Sequence, residues 1–372
     1  CHIYERMINY MYIYNGLSVY YLSNMGQIVD FLKEVNPEIM CVVPRLLEKM
    51  YDKILAKGRT LKGIKRMIFF WANKVALRYQ MGRENKLIYG FELRLARKLV
   101  LNKWKETFGK NLDIIVSGGA ALQPRLAQVF WAMGLRIIEG YGLTETSPVI
   151  AVSEFSPNGL AFGTVGPVLK HTTVQFGEDG EILIKGPGLM KGYFKDPELT
   201  SESIDADGWF HTGDIGHITP EGQLKITDRK KLIFKTSFGK YIAPQLIENK
   251  FKESQLIDQI MVVGENQKFA AALIVPDFAH LKEWCKRKDI PYTTNAEVLA
   301  LPRVKKRFQK EVNIYNQFFG DFERIVKFEL IDHDWSVETG QLSATLKLRR
   351  SYLNNAYSAN INRLFAVPNG EK

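Results

Sequence analysis

The segment 113–139 constrains the fold most. It holds two short apolar runs, 113–116 and 135–139, with an amphipathic stretch at 124–133 between them. Short apolar runs predict strands, and apolar positions recurring at three and four residues predict a helix. Strand, helix and strand in so short a span make one βαβ unit, which imposes a parallel sheet. In such sheets the functional loops lie at the carboxyl ends of the strands. Ser117-Gly118-Gly119-Ala120 and Gly140-Tyr141-Gly142 both fall there.

The texture changes twice further along. Between 159 and 227, short β-rich runs (173–176, 181–184 and 224–226) alternate with Gly, Pro and Asp turns, which predicts a small antiparallel barrel or sheet. After Asp228 come a helix (244–251), strands (259–263 and 270–275) and two helices (278–286 and 303–318), the pattern of a separate α+β domain. The expected fold class is therefore α/β plus α+β. Residues 1–158 form part of a parallel α/β sheet subdomain, 159–227 a barrel-like subdomain, and 228–372 a small mobile domain hinged near Asp228. No internal repeat or low-complexity tract is present.

Composition narrows the partners. At 372 residues, with 46% hydrophobic and 24% charged, the chain buries an ordinary core. Its one dense apolar run, 67–71, is far shorter than the roughly 20 residues of a bilayer crossing, so no transmembrane helix is expected. Cys1, Cys41 and Cys285 are scattered and odd in number, without zinc-site spacing, which fits a reducing cytoplasm. The opening Cys1-His2-Ile3-Tyr4 lacks a basic leader or cleavage site and reads as a fragment boundary. The net charge of +11 favours nucleic acid, anionic lipid or a polyanionic cofactor. The basic residues crowd 57–105 and 305–350 at helical spacing, unlike the glycine and aromatic pattern of an RNA-binding sheet, so nucleic acid is not expected. Solvated helix faces are the plain reading, and contact of 62–105 with an anionic membrane surface, on its cytoplasmic side, is the alternative.

Three stretches carry chemistry. In Gly140-Tyr141-Gly142-Leu143-Thr144-Glu145-Thr146 the glycines allow close backbone approach and Tyr141 offers a ring to a base. Thr144 offers a hydroxyl to phosphate, and Glu145 a hard oxygen to Mg²⁺. In Asp207-Gly208-Trp209-Phe210-His211-Thr212-Gly213-Asp214 and the later Asp228-Arg229-Lys230-Lys231, Asp214 suits paired ribose hydroxyls and Arg229 suits ribose or phosphate oxygens. In Gly340-Gln341-Leu342-Ser343-Ala344-Thr345-Leu346-Lys347, a lysine on a mobile domain would bring a point charge to a phosphate. Each stretch alone has a structural explanation: a turn, a solvated corner, one lysine among 51 Lys and Arg. His171, His217, His280 and His333 lack the spacing of a metal site or triad, and Trp104, Trp131, Trp284 and Trp335 suit packing.

Taken together, the order of these stretches resembles the adenylate-forming superfamily, and within it the long-chain fatty acyl-CoA synthetases. The likeness runs from His2-Ile3-Tyr4-Glu5-Arg6 through Val43-Pro44-Arg45 to Thr345-Leu346-Lys347. It implies that Gly118, Gly119 and Ala120 line the adenine pocket, that Gly140 and Tyr141 flank the adenine with Gly142 also in the nucleotide site, and that Thr144 meets phosphate. It implies Mg²⁺ on Glu145, ribose on Asp214 and Arg229, Lys231 and Lys235 near the nucleotide, Lys347 as the adenylation lysine, and His2 beside the acyl tunnel. The implied substrates are a long-chain fatty acid, ATP and coenzyme A. The implied reaction forms an acyl-adenylate and then acyl-CoA, with a pivot near Asp228 between the two steps.

Two departures qualify the likeness. The family's Ser/Thr/Gly-rich phosphate loop lies upstream of the His2 motif, so a chain starting at Cys1 is expected to be inactive alone. Phe238 stands where the family usually has a glycine, in a loop resembling part of the coenzyme A passage. Alternatives are a ligase for another acid or for acyl carrier protein, and a non-catalytic binding protein on the same fold.

Overall fold

The computed structural model describes residues 2–22, 24–343 and 346–366. The chain divides into two compact units, Cys1–Ile226 and Thr227–Lys372.

In the first unit, β1 (Ile39–Val42), β2 (Ile114–Ser117), β3 (Arg136–Gly142) and β4 (Val149–Val152) form one sheet in that order. The pairs β1–β2 and β2–β3 are parallel, while β4 joins β3 antiparallel. The helix Pro124–Met133 links β2 to β3 and completes the βαβ unit. Pro124 starts it, where the missing N–H is not needed and the fixed φ is already helical. Gly134 ends it at φ +82, a left-handed cap that a side chain would resist. Its buried face, including Leu126, Val129, Phe130 and Met133, packs into a core with Leu47, Tyr51, Phe108, Ile115 and Ile137. Phe108 and Phe130 meet edge to face at 5.3 Å between centroids.

Two features of this sheet differ from the sequence reading. Strand β1 was not among the expected elements; its four residues sit between Pro37 and Pro44. Its partner is supplied from far along the chain, with Met40 opposite Ile115. Strand β3 also runs past Glu139 through Gly142, so the glycine-tyrosine segment is strand, and the sheet is mixed at this edge.

The β-rich stretch forms β5 (Thr173–Phe176), β6 (Glu181–Lys185), β7 (Phe210–Ile218) and β8 (Leu224–Arg229), in that order. It is an open sheet, and no closed barrel occurs among the described residues, which corrects the barrel expectation. Its core gathers Ile150, Ala151, Ile182, Ile184 and Leu224. The division between the two units falls within β8.

In the second unit, β9 (Phe234–Lys235) and β10 (Tyr241–Ile242) pair antiparallel. A separate sheet contains β11 (Ile257–Val263), β12 (Ala270–Pro276) and β13 (Ile325–Leu330), with β12 central. Every residue of β12 is buried, and its side chains alternate between two cores. Ala270, Ala272 and Ile274 face the core shared with the helices Pro244–Phe251 and Pro302–Asn316. Ala271, Leu273 and Val275 face the core shared with the helices Arg350–Ala356 and Ser358–Phe365. This two-sided cover is why the strand reads as a continuous apolar run. Glu248 and Arg350 pin the terminal segment to the sheet, with Arg350 Nη2 at 2.6 Å from Glu248 Oε2 and the Val262 N–H donating to Glu248 Oε1.

No helix among the described residues is long and apolar enough to cross a membrane.

Candidate functional site

The first unit gathers several of the residues singled out in the sequence. Asp214 lies on β7 with 4% of its surface exposed, and it accepts a hydrogen bond from the Tyr141 hydroxyl at 2.8 Å. Residues 73 positions apart are thereby joined. Asp214 is held locally as well: its N–H donates to the Thr212 hydroxyl, which in turn donates to the Ile182 carbonyl of β6. The preceding Gly213, at φ +69, lets its own N–H turn to Glu181.

The turn after Tyr141 is tightly fixed. A Cβ on Gly142 would stand 1.6 Å from the Pro148 carbonyl oxygen, so only glycine fits. The Thr146 hydroxyl accepts from the Leu143 N–H and donates to the Pro148 carbonyl at 2.6 Å, closing the turn on itself. Thr144 is exposed at its apex. Glu145 is half-buried and accepts a hydrogen bond from the Tyr193 hydroxyl at 3.0 Å. Burial and that neighbouring carboxylate raise the Tyr193 pKa, keeping the phenol a donor.

The second glycine segment serves packing in part. A Cβ on Gly118 would lie 2.7 Å from the Tyr4 ring, whose hydroxyl donates to the Val116 carbonyl. Gly119, at φ +80, and Ala120 are exposed beyond it. His2 caps the first helix, accepting from the Tyr4 N–H.

Beneath these loops lies Glu139, opposite Ser117 in the β2–β3 register and nearly fully buried. Burial pushes its carboxyl up to about 8, opposed only by the Leu122 backbone amide. At neutral pH it is therefore largely protonated and adds no fixed negative charge near the glycine loops. Glu139, Thr146 and Tyr193 carry no signal in local sequence, since their roles depend on partners brought by the fold.

The second unit holds Arg229, Lys231, Lys235 and Lys347. Lys231 and Lys235 are exposed, with Lys235 Nζ 4.6 Å from the Tyr241 ring centroid. Phe238 is 70% exposed within its unit. Asp228 is buried, accepts the Arg229 N–H at Oδ1, and has no hydrogen-bond partner for Oδ2 among the described atoms. Burial, reinforced by Glu248, pushes its carboxyl up to about 6. Lys347 is exposed on a turn closed by the Ser343 hydroxyl accepting the Lys347 N–H. Ala344 and Thr345 lie outside the described residues.

No group of three or more His, Cys, Asp or Glu side chains among the described residues is arranged to hold a metal. Glu145 is a single carboxylate, which suits Mg²⁺ only where phosphate oxygens and water complete the octahedron. His333 sits between Asp332 and the Tyr357 hydroxyl, each at 2.7 Å, and Trp335 Nε1 also donates to that hydroxyl. The network ties the last helices to the chain before them, while Trp104 and Trp335 are buried and Trp131 and Trp284 pack on the two main cores.

The AMP-binding enzyme family matches residues 1–194, and the AMP-binding enzyme C-terminal domain matches 232–368. The chain belongs to the AMP-binding enzyme family. Among curated relatives, long-chain-fatty-acid–CoA ligase 1 of Cavia porcellus is 32% identical over 385 residues, covering 98% of this chain and 53% of the relative. Long-chain-fatty-acid–CoA ligase FadD15 of Mycobacterium tuberculosis is 31% identical over 368 residues, covering 98% and 60%. The chain thus spans about half the length of these relatives. Among solved structures, the adenylation domain of a carboxylate reductase from Mycobacterium chelonae matches with a TM-score of 0.68 at 21% identity, covering 93% of this chain and 49% of that one. The o-succinylbenzoate CoA synthetase of Bacillus subtilis matches at 0.59 and 17%, covering 95% and 58%. These likenesses establish the adenylate-forming fold.

Proposed function

We propose that this chain is the adenosine-binding and domain-pivoting part of an ATP-dependent long-chain fatty acid–CoA ligase. The observation that carries the reading is the hydrogen bond joining Tyr141 to Asp214, which sets a ring and a buried carboxylate side by side. A ring face suits adenine, and a carboxylate accepts from both ribose hydroxyls. Gly119, Ala120 and Gly140 leave the backbone open to the base, Gly118 and Gly142 fix the loops that carry them, and Thr144 meets phosphate from its exposed apex. Arg229, Lys231 and Lys235 add cations on the ribose and phosphate side. The names of the curated relatives support the acid and the thiol.

In this reading the fatty carboxylate attacks the α-phosphate, pyrophosphate leaves, and coenzyme A then takes the acyl group. Lys347 supplies positive charge as the crowded phosphorus centre forms, then withdraws when the second unit turns about Asp228. Mg²⁺ held by Glu145 with the phosphates would neutralise charge on the leaving group. A fatty acid partitions into bilayers, so peripheral membrane contact completes the reading.

Titration calorimetry with AMP tests the pocket on this chain. Asp214→Ala is expected to weaken AMP binding at least roughly tenfold, the worth of a charge-assisted hydrogen bond pair. Unchanged affinity would remove Asp214 from the site. In the full-length protein, Lys347→Ala is expected to abolish adenylate formation while sparing thioester formation from pre-made acyl-adenylate. Mass analysis after feeding palmitate, ATP and either coenzyme A or acyl carrier protein separates the two acceptors.

A further inference from the structure

The charge of this chain is not spread over its surface. Residues 62–105 carry twelve Lys and Arg against two Glu, so this stretch holds ten of the eleven net positive charges. It folds mainly as two neighbouring helices, Gly63–Ala76 and Leu87–Ala96, joined where the Tyr89 hydroxyl donates to the Val75 carbonyl at 3.1 Å. A π-turn, Arg97–Leu101, continues the second helix.

Each helix has a fixed inner face. Phe69, Ala72 and Ala76 of the first and Tyr89, Leu93 and Ala96 of the second are buried in the main core. Arg97 Nε donates to the Ala132 carbonyl at 2.8 Å, locking the rotation of the second. The outer face of that helix is nevertheless apolar. Leu87 is 89% exposed, Ile88 81% and Phe91 63%, and Leu95 and Leu99 continue the stripe. These spacings place them along one side of the helix. On the first helix Ile64 and Met67 are each 70% exposed. Exposed cations border both stripes: Lys86, Arg94 and Lys98 on one, Lys62, Lys65 and Lys74 on the other. Of the two glutamates, Glu92 is already paired with Arg78 and Glu84 is half-buried.

The geometry points to an anionic lipid bilayer as the occupant of this face, with the two helices lying in the headgroup plane. Apolar side chains at the centre and long cationic stems at the border form the pattern of an interfacial helix, whose apolar face enters the headgroup boundary while the charges reach phosphate. The density of like charge disfavours a second copy of the chain, since two such faces repel. Trp71, on the groove it shares with Arg66, Met67 and Phe70, suits the wet and apolar boundary of a membrane. The surface uses no residue of the nucleotide site, so loss of vesicle binding and loss of AMP binding are separable results.

Co-sedimentation of the chain with phosphatidylcholine vesicles and with vesicles containing phosphatidylserine, at low and high salt, tests the proposal. Binding to the anionic vesicles is expected to exceed neutral binding at least roughly tenfold, and the excess to fall with salt. The pair Arg94→Glu and Lys98→Glu is expected to abolish the excess, each cation being worth about fivefold near an anionic surface. Ile88→Asp with Phe91→Asp is expected to lower binding at high salt, where the apolar contribution remains. Both pairs alter exposed side chains, so an unchanged thermal melt separates lost binding from lost fold. Equal binding to neutral and anionic vesicles overturns the proposal, as does anionic binding that survives both pairs. A dimer in light scattering that Phe91→Asp dissociates would reassign the face to a second copy of the chain.

Discussion

The turn at 140–146 in the first unit and the turn that carries Lys347 in the second both present functional candidates, yet they are built in opposite ways. The first is locked from behind. Gly142 has no space for a side chain, Thr146 bonds both ends of the turn, and Tyr141 reaches Asp214. The second is closed mainly by its own backbone and the Ser343 hydroxyl, with Leu346 at φ +60 and Lys347 exposed. Its anchor comes three residues later, in the pair of Arg350 with Glu248. A residue that must grip one ligand geometry benefits from a rigid, prepaid turn, whereas a lysine that must arrive and leave benefits from exposure and a fixed base.

Substitutions sharpen that contrast, and at fixed pH the largest effect belongs to the locked turn. Gly142→Ala puts a methyl into the Pro148 carbonyl and is expected to destabilise the first unit by about 3 kcal/mol, at the upper end of overpacking costs. Urea denaturation followed by tryptophan fluorescence measures it. A loss below about 0.5 kcal/mol would mean that the turn yields as easily as an exposed loop.

The next effect depends on pH. The Glu139 carboxyl is raised from 4.5 to about 8, so between those values the folded state keeps a proton that the unfolded state has lost. Its contribution to stability therefore falls as pH rises from about 4.5 to about 8, by a few kcal/mol at about 1.4 kcal/mol per unit. Glu139→Gln is expected to flatten that slope in melts taken across the same window. A slope unchanged by the substitution would contradict a neutral carboxyl beneath the glycine loops.

The smallest effect is expected at the exposed turn. Lys347→Ala should leave stability within about 0.5 kcal/mol, because the residue is exposed. A larger loss in the same denaturation would show that Lys347 holds its own turn together and would erase the contrast.

Legibility in the sequence followed the range of the forces involved. The helix Pro124–Met133 was readable because proline, glycine and a repeating apolar face act within a few residues. The helix Pro244–Phe251 announced itself the same way, with proline at its first turn. Strand β1 was hidden because four residues between prolines say little until β2 arrives from more than 70 positions away. Strand β13 was missed for the same reason, lying against β12 across about 50 residues of helix and loop. At the site, Tyr141 and Asp214 were each visible as suitable chemistry, while Glu139 and Tyr193 were silent.

Local order, then, was written in the chain itself: the βαβ unit, the caps of its helix, the change to α+β texture after Asp228 and the concentration of positive charge in 62–105. Tertiary structure alone decided that the β-rich stretch stays open, that β4 makes the sheet mixed, that Tyr141 meets Asp214, and that an apolar stripe at 87–99 faces solvent. The reason is that periodicity and turn chemistry act over a few residues, whereas burial, pairing and desolvation are set by whichever distant segments the packed core brings together.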